Sequence, residues 1–151
     1  MKEIVVTKHI GASPAAVFAA CTDIPNAAKN ISAITNIKML TPGPVGKGTK
    51  FRETRKLMGK EATETMEFLE FTPNKSYLLG AESCGMRYRT SFDFRQNGNG
   101  TDVEVRFNAT PLTVGARIMG TMMSMFMSGM LRKCLNHDLD EIKKRVESGA
   151  V

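Results

Sequence analysis

Residues 2–10 mix β-branched and polar positions (Ile4, Val5, Val6, Thr7, Ile10) and stop at Gly11, the pattern of a strand ended by a turn. Ser13-Pro14 follows as an N-cap with proline in the first helical position, so Ala15 to Cys21 reads as a short helix anchored by Val17 and Phe18. Asp23-Ile24-Pro25 repeats that logic and opens a second short helix ending near Asn30. From Ser32 to Ser83, and again from Gly85 to Pro111, the hydrophobic period drops to two. These runs are broken at Pro42-Gly43-Pro44, Gly59, Pro73-Asn74 and Asn97-Gly98-Asn99-Gly100, which is the punctuation of an antiparallel meander. Beyond Leu112 the chain reads as one long helix to about Val146, with Lys and Arg gathered towards its C-terminal end, where the helix dipole favours cations.

Two hairpins take a register by arithmetic. With Gly59-Lys60 as a two-residue turn, Phe51 faces Phe68, Glu53 faces Met66, Arg55 faces Glu64 and Leu57 faces Ala62 on one side of the sheet, while Arg52 faces Glu67 on the other. With a four-residue loop at Asn97 to Gly100, Phe94 faces Val103, Phe92 faces Val105, Thr90 faces Phe107 and Tyr88 faces Ala109. Arg95 then meets Asp102 outside, and the like-charge pair Asp93 and Glu104 has Arg106 near enough to relieve it. Each hairpin has one mostly apolar, aromatic-bearing face. The C-terminal helix is the only element long enough to cover both.

A length of 151 residues, 42% hydrophobic and 24% charged, fits one domain with a core of its own over residues 1–151. The net charge of +6 raises nucleic acid as a partner. The distribution argues against it, because the basic run Lys47, Lys50, Arg52, Arg55, Lys56 and Lys60 is followed by Glu61, Glu64, Glu67 and Glu70, which can neutralise it. Cys21, Cys84 and Cys134 are odd in number and form no CxxC, so buried thiols in a reducing compartment are expected. The opening MKEIVVTKHI is interrupted by Lys8 and His9 and lacks a continuous apolar signal region, so the expected location is cytoplasmic.

Four features could carry chemistry. Gly43 to Lys50 is glycine-rich, but its Thr-Lys order and strand continuation do not make a phosphate loop. His9 and His137 have no ligand-spaced partners, so no metal and no cofactor are expected. Ile118 to Leu131 holds six of the eleven methionines and no charge over 14 residues, too short for the roughly 20 that span a bilayer. It carries two apolar stripes, Met119, Met123, Met127 and Met130 on one and Ile118, Met122, Met125 and Phe126 on the other. Core packing, a cavity wall, and a homodimer or membrane-surface contact are all open to it. The inward trio Glu53, Arg55 and Glu64, with Tyr88 and Thr90 from the other hairpin, places charge among phenylalanines, which is costly unless paired.

The order of elements resembles the START-like, helix-grip (SRPBCC) superfamily of polyketide cyclase/dehydrases, lipid-transfer domains and birch-pollen-type allergens. The resemblance rests on Ile10-Gly-Ala-Ser-Pro-Ala-Ala-Val-Phe18, Gly46-Lys-Gly-Thr-Lys-Phe51, Glu70-Phe-Thr-Pro73, Asn99-Gly-Thr101 and Leu139-Asp-Glu-Ile-Lys-Lys-Arg145. It implies an α+β helix-grip fold, in which a curved antiparallel sheet of about seven strands wraps a long C-terminal helix, with two short helices after the first strand. It further implies a cavity between sheet and helix that binds a small hydrophobic or amphipathic ligand, as in a carrier. The cavity would be lined by Phe51, Arg55, Glu64, Met66, Phe68, Tyr88, Thr90, Phe92, Phe107, Met122, Met125 and Phe126. The alternatives are a cyclase/dehydrase using Glu53 or Glu64 as acid or base with Arg55 steadying an enolate, and an interaction module using the methionine-rich helix.

Overall fold

The computed structural model describes residues 3–57 and 59–149, apart from the side chains of 119–127. The period-two stretches become strands β1 (Ile4–Ile10), β2 (Ile34–Met39), β3 (Lys50–Leu57), β4 (Lys60–Thr72), β5 (Ser76–Ser83), β6 (Met86–Asn97) and β7 (Gly100–Pro111). Helix α1 (Pro14–Thr22) follows β1, then a 3-10 turn (Ile24–Asn26) running into α2 (Ala27–Asn30), and the long helix α3 (Val114–Glu147) closes the chain. The strands form one antiparallel sheet in the order β1-β7-β6-β5-β4-β3-β2. This is the expected helix-grip architecture.

Local chemistry sets the helix ends. The Ser13 hydroxyl accepts from Ala16 N at 3.2 Å with Pro14 just inside α1, and the Thr113 hydroxyl accepts from Ala116 N at 3.1 Å to start α3. Lys144 and Arg145 occupy the last turn of α3, where the helix dipole favours cations.

The β6–β7 register is the expected one, with Phe94 opposite Val103, Thr90 opposite Phe107 and Tyr88 opposite Ala109. Asn97 and Gly100 are themselves paired, so the loop has two residues, not four. Arg106 Nε donates to Glu104 Oε1 at 2.7 Å and relieves the Asp93–Glu104 clash. The β3–β4 register departs from expectation by two residues: Phe51 meets Met66, Glu53 meets Glu64, Arg55 meets Ala62, and Leu57 meets Lys60. The hairpin therefore turns one position earlier, and Gly59, at φ +80°, is the second loop residue and not the first. Phe51 is not directly across from Phe68, nor Arg55 from Glu64, and Glu67 faces Lys50 in place of Arg52. A slip of two keeps every residue on its face, where a slip of one would have reversed them all. Phe51 and Phe68 thus still share the inner face, with rings 5.9 Å apart.

The core lies at one end of the concave face. Phe18 of α1 makes edge-to-face contacts with Phe71, Tyr77 and Phe94 at 5.2–5.9 Å. Phe51, Phe68, Val103 and Val105 from the sheet and Leu139, Ile142 and Val146 from α3 are buried around it. Full burial of side chains of this size is worth about 1.5–3 kcal/mol each.

Polar contacts pin the C-terminal half of α3 from two sides. Lys8 of β1 reaches Asp140 at 2.7 Å, Arg132 Nη1 donates to Val5 O at 2.8 Å, and Lys143 Nζ donates to His9 O at 2.9 Å. Opposite them, Arg55 of β3 donates to Asp138 at 2.7 Å, and Ser32, before β2, donates through N and Oγ to Glu141. β1 and β2 are the two edges of the sheet, so the sheet curls until both flanks grip one helix.

Candidate functional site

The concave face divides by burial. Phe51, Phe68, Phe94, Val103 and Val105 are buried, whereas Met66, Leu79, Tyr88, Thr90, Phe92 and Phe107 are half-buried. These half-buried groups lie in two cross-strand rows and their neighbours: Met66–Ala81–Tyr88–Ala109, and Leu79–Thr90–Phe107 beside Phe68. Tyr88 stacks on Phe107 with ring centres 5.8 Å apart, and Phe92 stacks on Tyr77 at 4.6 Å. Of the residues expected to line a cavity, Phe51 and Phe68 belong to the solid core, and Met66, Tyr88, Thr90, Phe92 and Phe107 share the half-buried wall. Met122, Met125 and Phe126 lie outside the described residues as far as their side chains are concerned. At the margins of the methionine-rich segment, Val114 is 77% and Ile118 59% exposed, while Leu131 packs against the core.

A charged cluster borders this wall. Strand alternation brings Glu53 and Arg55 of β3 to the inner side, and pairing sets Glu64 of β4 directly opposite Glu53, a repulsive placement without a cation between. Arg55 supplies the cation: Nη2 lies 3.5 Å from Glu53 Oε1, and Nη1 donates to Asp138 Oδ2 of α3 at 2.7 Å. The side chains of Glu53, Arg55 and Asp138 are only 11%, 19% and 16% exposed. The expected ion pair of Arg55 with Glu64 is thus replaced by one with Asp138 and Glu53. Arg55 acts on Glu64 through its charge, without a hydrogen bond. Among the described residues Asp138 Oδ1 is buried with no hydrogen-bond partner, a costly state for an acceptor.

Burial raises the carboxyl pKa values throughout the cluster. It pushes Glu53 up, with Arg55 opposing and Asp138 and Glu64 adding to the rise; it pushes Asp138 up against Arg55, and Glu64 up against Arg55. Burial acts against the charge on Arg55, yet the neighbouring Asp138 and Glu53 outweigh it and hold the guanidinium more firmly protonated. Tyr88 is raised by burial and then by Glu64, which places its phenol within the field of the cluster.

Asp138 was not among the residues expected from sequence, although a signal for it exists. It sits three residues after Leu135 and four before Ile142, so the spacing puts an acid inside the apolar stripe of α3. The histidines stand elsewhere. His9 Nδ1 meets Asp102 at 2.7 Å on the outer side, and His137 bonds Glu141 at 3.0 Å near the helix surface. Donor atoms of His137, Asp138 and Glu141 lie within 4.8 Å of one another, with the two carboxylates already engaged by Arg55 and Ser32. Burial pushes the Cys21 thiol up to about 12, so it behaves as a small apolar residue, whereas Cys134 is half-buried and Cys84, at the β5–β6 turn, is exposed, against the expectation of buried thiols. On the convex face, a hollow of about 230 Å³ is lined by Lys50, Glu67, Leu69, Gly80, Glu82 and Arg89, among others.

The family model described as polyketide cyclase/dehydrase and lipid transport matches residues 1–147. The chain belongs to this family. The fold is the START-like helix grip expected from the sequence. A protein from Thermus thermophilus, TTHA0849, is similar at 18% identity and a TM-score of 0.81, covering 99% of this chain and 100% of its own. The ZhuI aromatase/cyclase from Streptomyces sp. R1128 is similar at 11% identity and a TM-score of 0.82 (99% and 96%). A START superfamily protein from Mycobacterium smegmatis is similar at 13% identity and a TM-score of 0.77 (97% of each). Identities this low establish shared fold alone. No curated protein matches the chain. Membership supports a ligand-binding or cyclase role, and among the described residues no helix is long and apolar enough to cross a membrane.

Proposed function

We propose that the half-buried part of the concave face is the wall of a cavity that binds one small hydrophobic or amphipathic molecule, and that the protein is a single-domain carrier of that molecule. The observation that carries this reading is the change in burial along the inner face: the aromatic wall of Tyr88, Phe92 and Phe107 is left half-open beside a core in which Phe51 and Phe68 are 2% and 0% exposed. Ligand sites are typically apolar concavities with a few polar groups at one side, and here the Glu53–Arg55–Asp138 cluster supplies those groups. Three free cysteines support a reducing compartment such as the cytoplasm.

A neutral amphipathic dye such as Nile red tests the reading. Thr90→Phe fills space in the middle of the wall without adding charge. The expected result is saturable binding by the wild type and at least a ten-fold loss in a variant whose melting temperature stays within a few degrees. Unchanged binding by a folded Thr90→Phe protein would remove the cavity from this face.

A second reading has its own support. Glu64 is half-buried, has a raised pKa and stands near Tyr88, which suits a carboxyl that exchanges a proton with a bound carbonyl compound, as in a cyclase/dehydrase. Under it, Glu64→Gln would leave binding of an aromatic polyketide-like compound intact and abolish its turnover.

A further inference from the structure

Resting on the cavity reading, we propose that the polar end of the cavity selects a head group that donates hydrogen bonds, an amine or a hydroxyl, and rejects carboxylates and phosphates. The argument is local charge. Glu53, Glu64 and Asp138 converge on a single guanidinium, that of Arg55. With one of the three acids protonated, two carboxylates still face one cation, and Cys134, Glu141 and the exposed His137 are the next ionisable groups along α3. Arg55, the group suited to holding an anion, is already turned towards Glu53 at 3.5 Å and Asp138 at 2.7 Å. The unmet demand in the cluster is for donors: Asp138 Oδ1 has no partner, and Glu64 accepts no hydrogen bond among the described residues. A carboxylate head would bring a further negative charge into a weakly screened site. A protonated amine would supply both charge and hydrogens, and a hydroxyl would supply a hydrogen without repulsion.

The whole chain pulls the other way, because its net charge of +6 attracts anions from solution. A preference for an amine would therefore report the cluster and not the average surface. Dodecylamine, dodecanol and dodecanoate share one tail and can each be titrated against bound Nile red at pH 7, with the wild type, Glu64→Gln and Asp138→Asn. The expected order is amine, then alcohol, then carboxylate, with at least a ten-fold gap between amine and carboxylate. In both variants the gap should narrow to about three-fold or less. Dodecanoate binding as tightly as dodecylamine to the wild type, or a gap unchanged in both variants, would overturn the head-group proposal and leave the cavity standing. Failure of the dye and of all three compounds to bind would overturn the cavity reading itself.

Discussion

Asp138 and Arg55 tie helix to sheet through one short ion pair, and both are mostly withdrawn from solvent. Replacing Arg55 by methionine leaves Asp138 and Glu53 without their cation, and breaking a well-buried pair costs roughly 3–5 kcal/mol; the remaining exposure puts the expected loss at about 3 kcal/mol. Adding Asp138→Leu should restore most of it, whereas adding Glu64→Leu should restore little, since Glu64 makes no hydrogen bond to Arg55. Urea denaturation of the single and double variants decides between these partners. The cluster also sets a pH dependence. Glu53, Glu64 and Asp138 have folded pKa values above their ordinary values of 4.5, 4.5 and 3.8, so above about pH 4 the folded state holds more protons than the unfolded one. Their contribution to stability is greatest below that point and is lost as pH rises through the folded values. Asp102, Asp140 and Glu147 have lowered values, so their contribution has the opposite sign and is lost in stronger acid. Stability should therefore peak in mild acid. Glu53→Gln should flatten the decline that sets in above its ordinary pKa of 4.5, and an unchanged slope in that variant would show that Glu53 is not a source of it. Legibility at this scale was uneven: the inward acids and arginine follow from strand alternation, but their pairing needed the helix, and Asp138 is marked in sequence only by its place in an apolar stripe.

Turns decided how much of the elements could be read in advance. The β6–β7 register was legible because Asn97 to Gly100 gives the same pairing sum whether the outer two residues are counted in the loop or the ladder. The β3–β4 hairpin offers one glycine, and placing Gly59 first or second in the turn moves the ladder by two. Faces survived that error and partners did not. The close approach of β7 to β1 gives a third prediction. A Cβ on Gly100 would lie 2.6 Å from both Ile10 O and His9 Nε2, and the backbone oxygen cannot move aside. Gly100→Ala should cost about 2 kcal/mol, the middle of the range for overpacking, with ligand affinity unchanged per folded molecule. At the other end of the sheet, Thr113→Ala removes the cap of α3 and should cost about 1 kcal/mol by thermal or urea melts.

At the scale of the molecule, curvature is what turns a sheet into a receptacle. Lys8–Asp140 on one flank and Arg55–Asp138 on the other hold the C-terminal half of α3 against the core, and the half-buried wall lies beyond that grip. The helix-grip arrangement was legible from element order, because a long terminal helix is the only cover available to two aromatic-faced hairpins. Whether α3 leaves a cavity there was not, because methionines at helical spacing serve equally well as core or as wall. Methyl-resolved NMR of the wild type during titration with Nile red places the ligand directly. Shifts should concentrate on Leu79 and Ala109 of the concave face, which take no part in the outer hollow, and leave Leu69, inside that hollow, unmoved. Shifts confined to Leu69, or to the exposed Leu112, Val114 and Ile118, would contradict a binding cavity between sheet and helix.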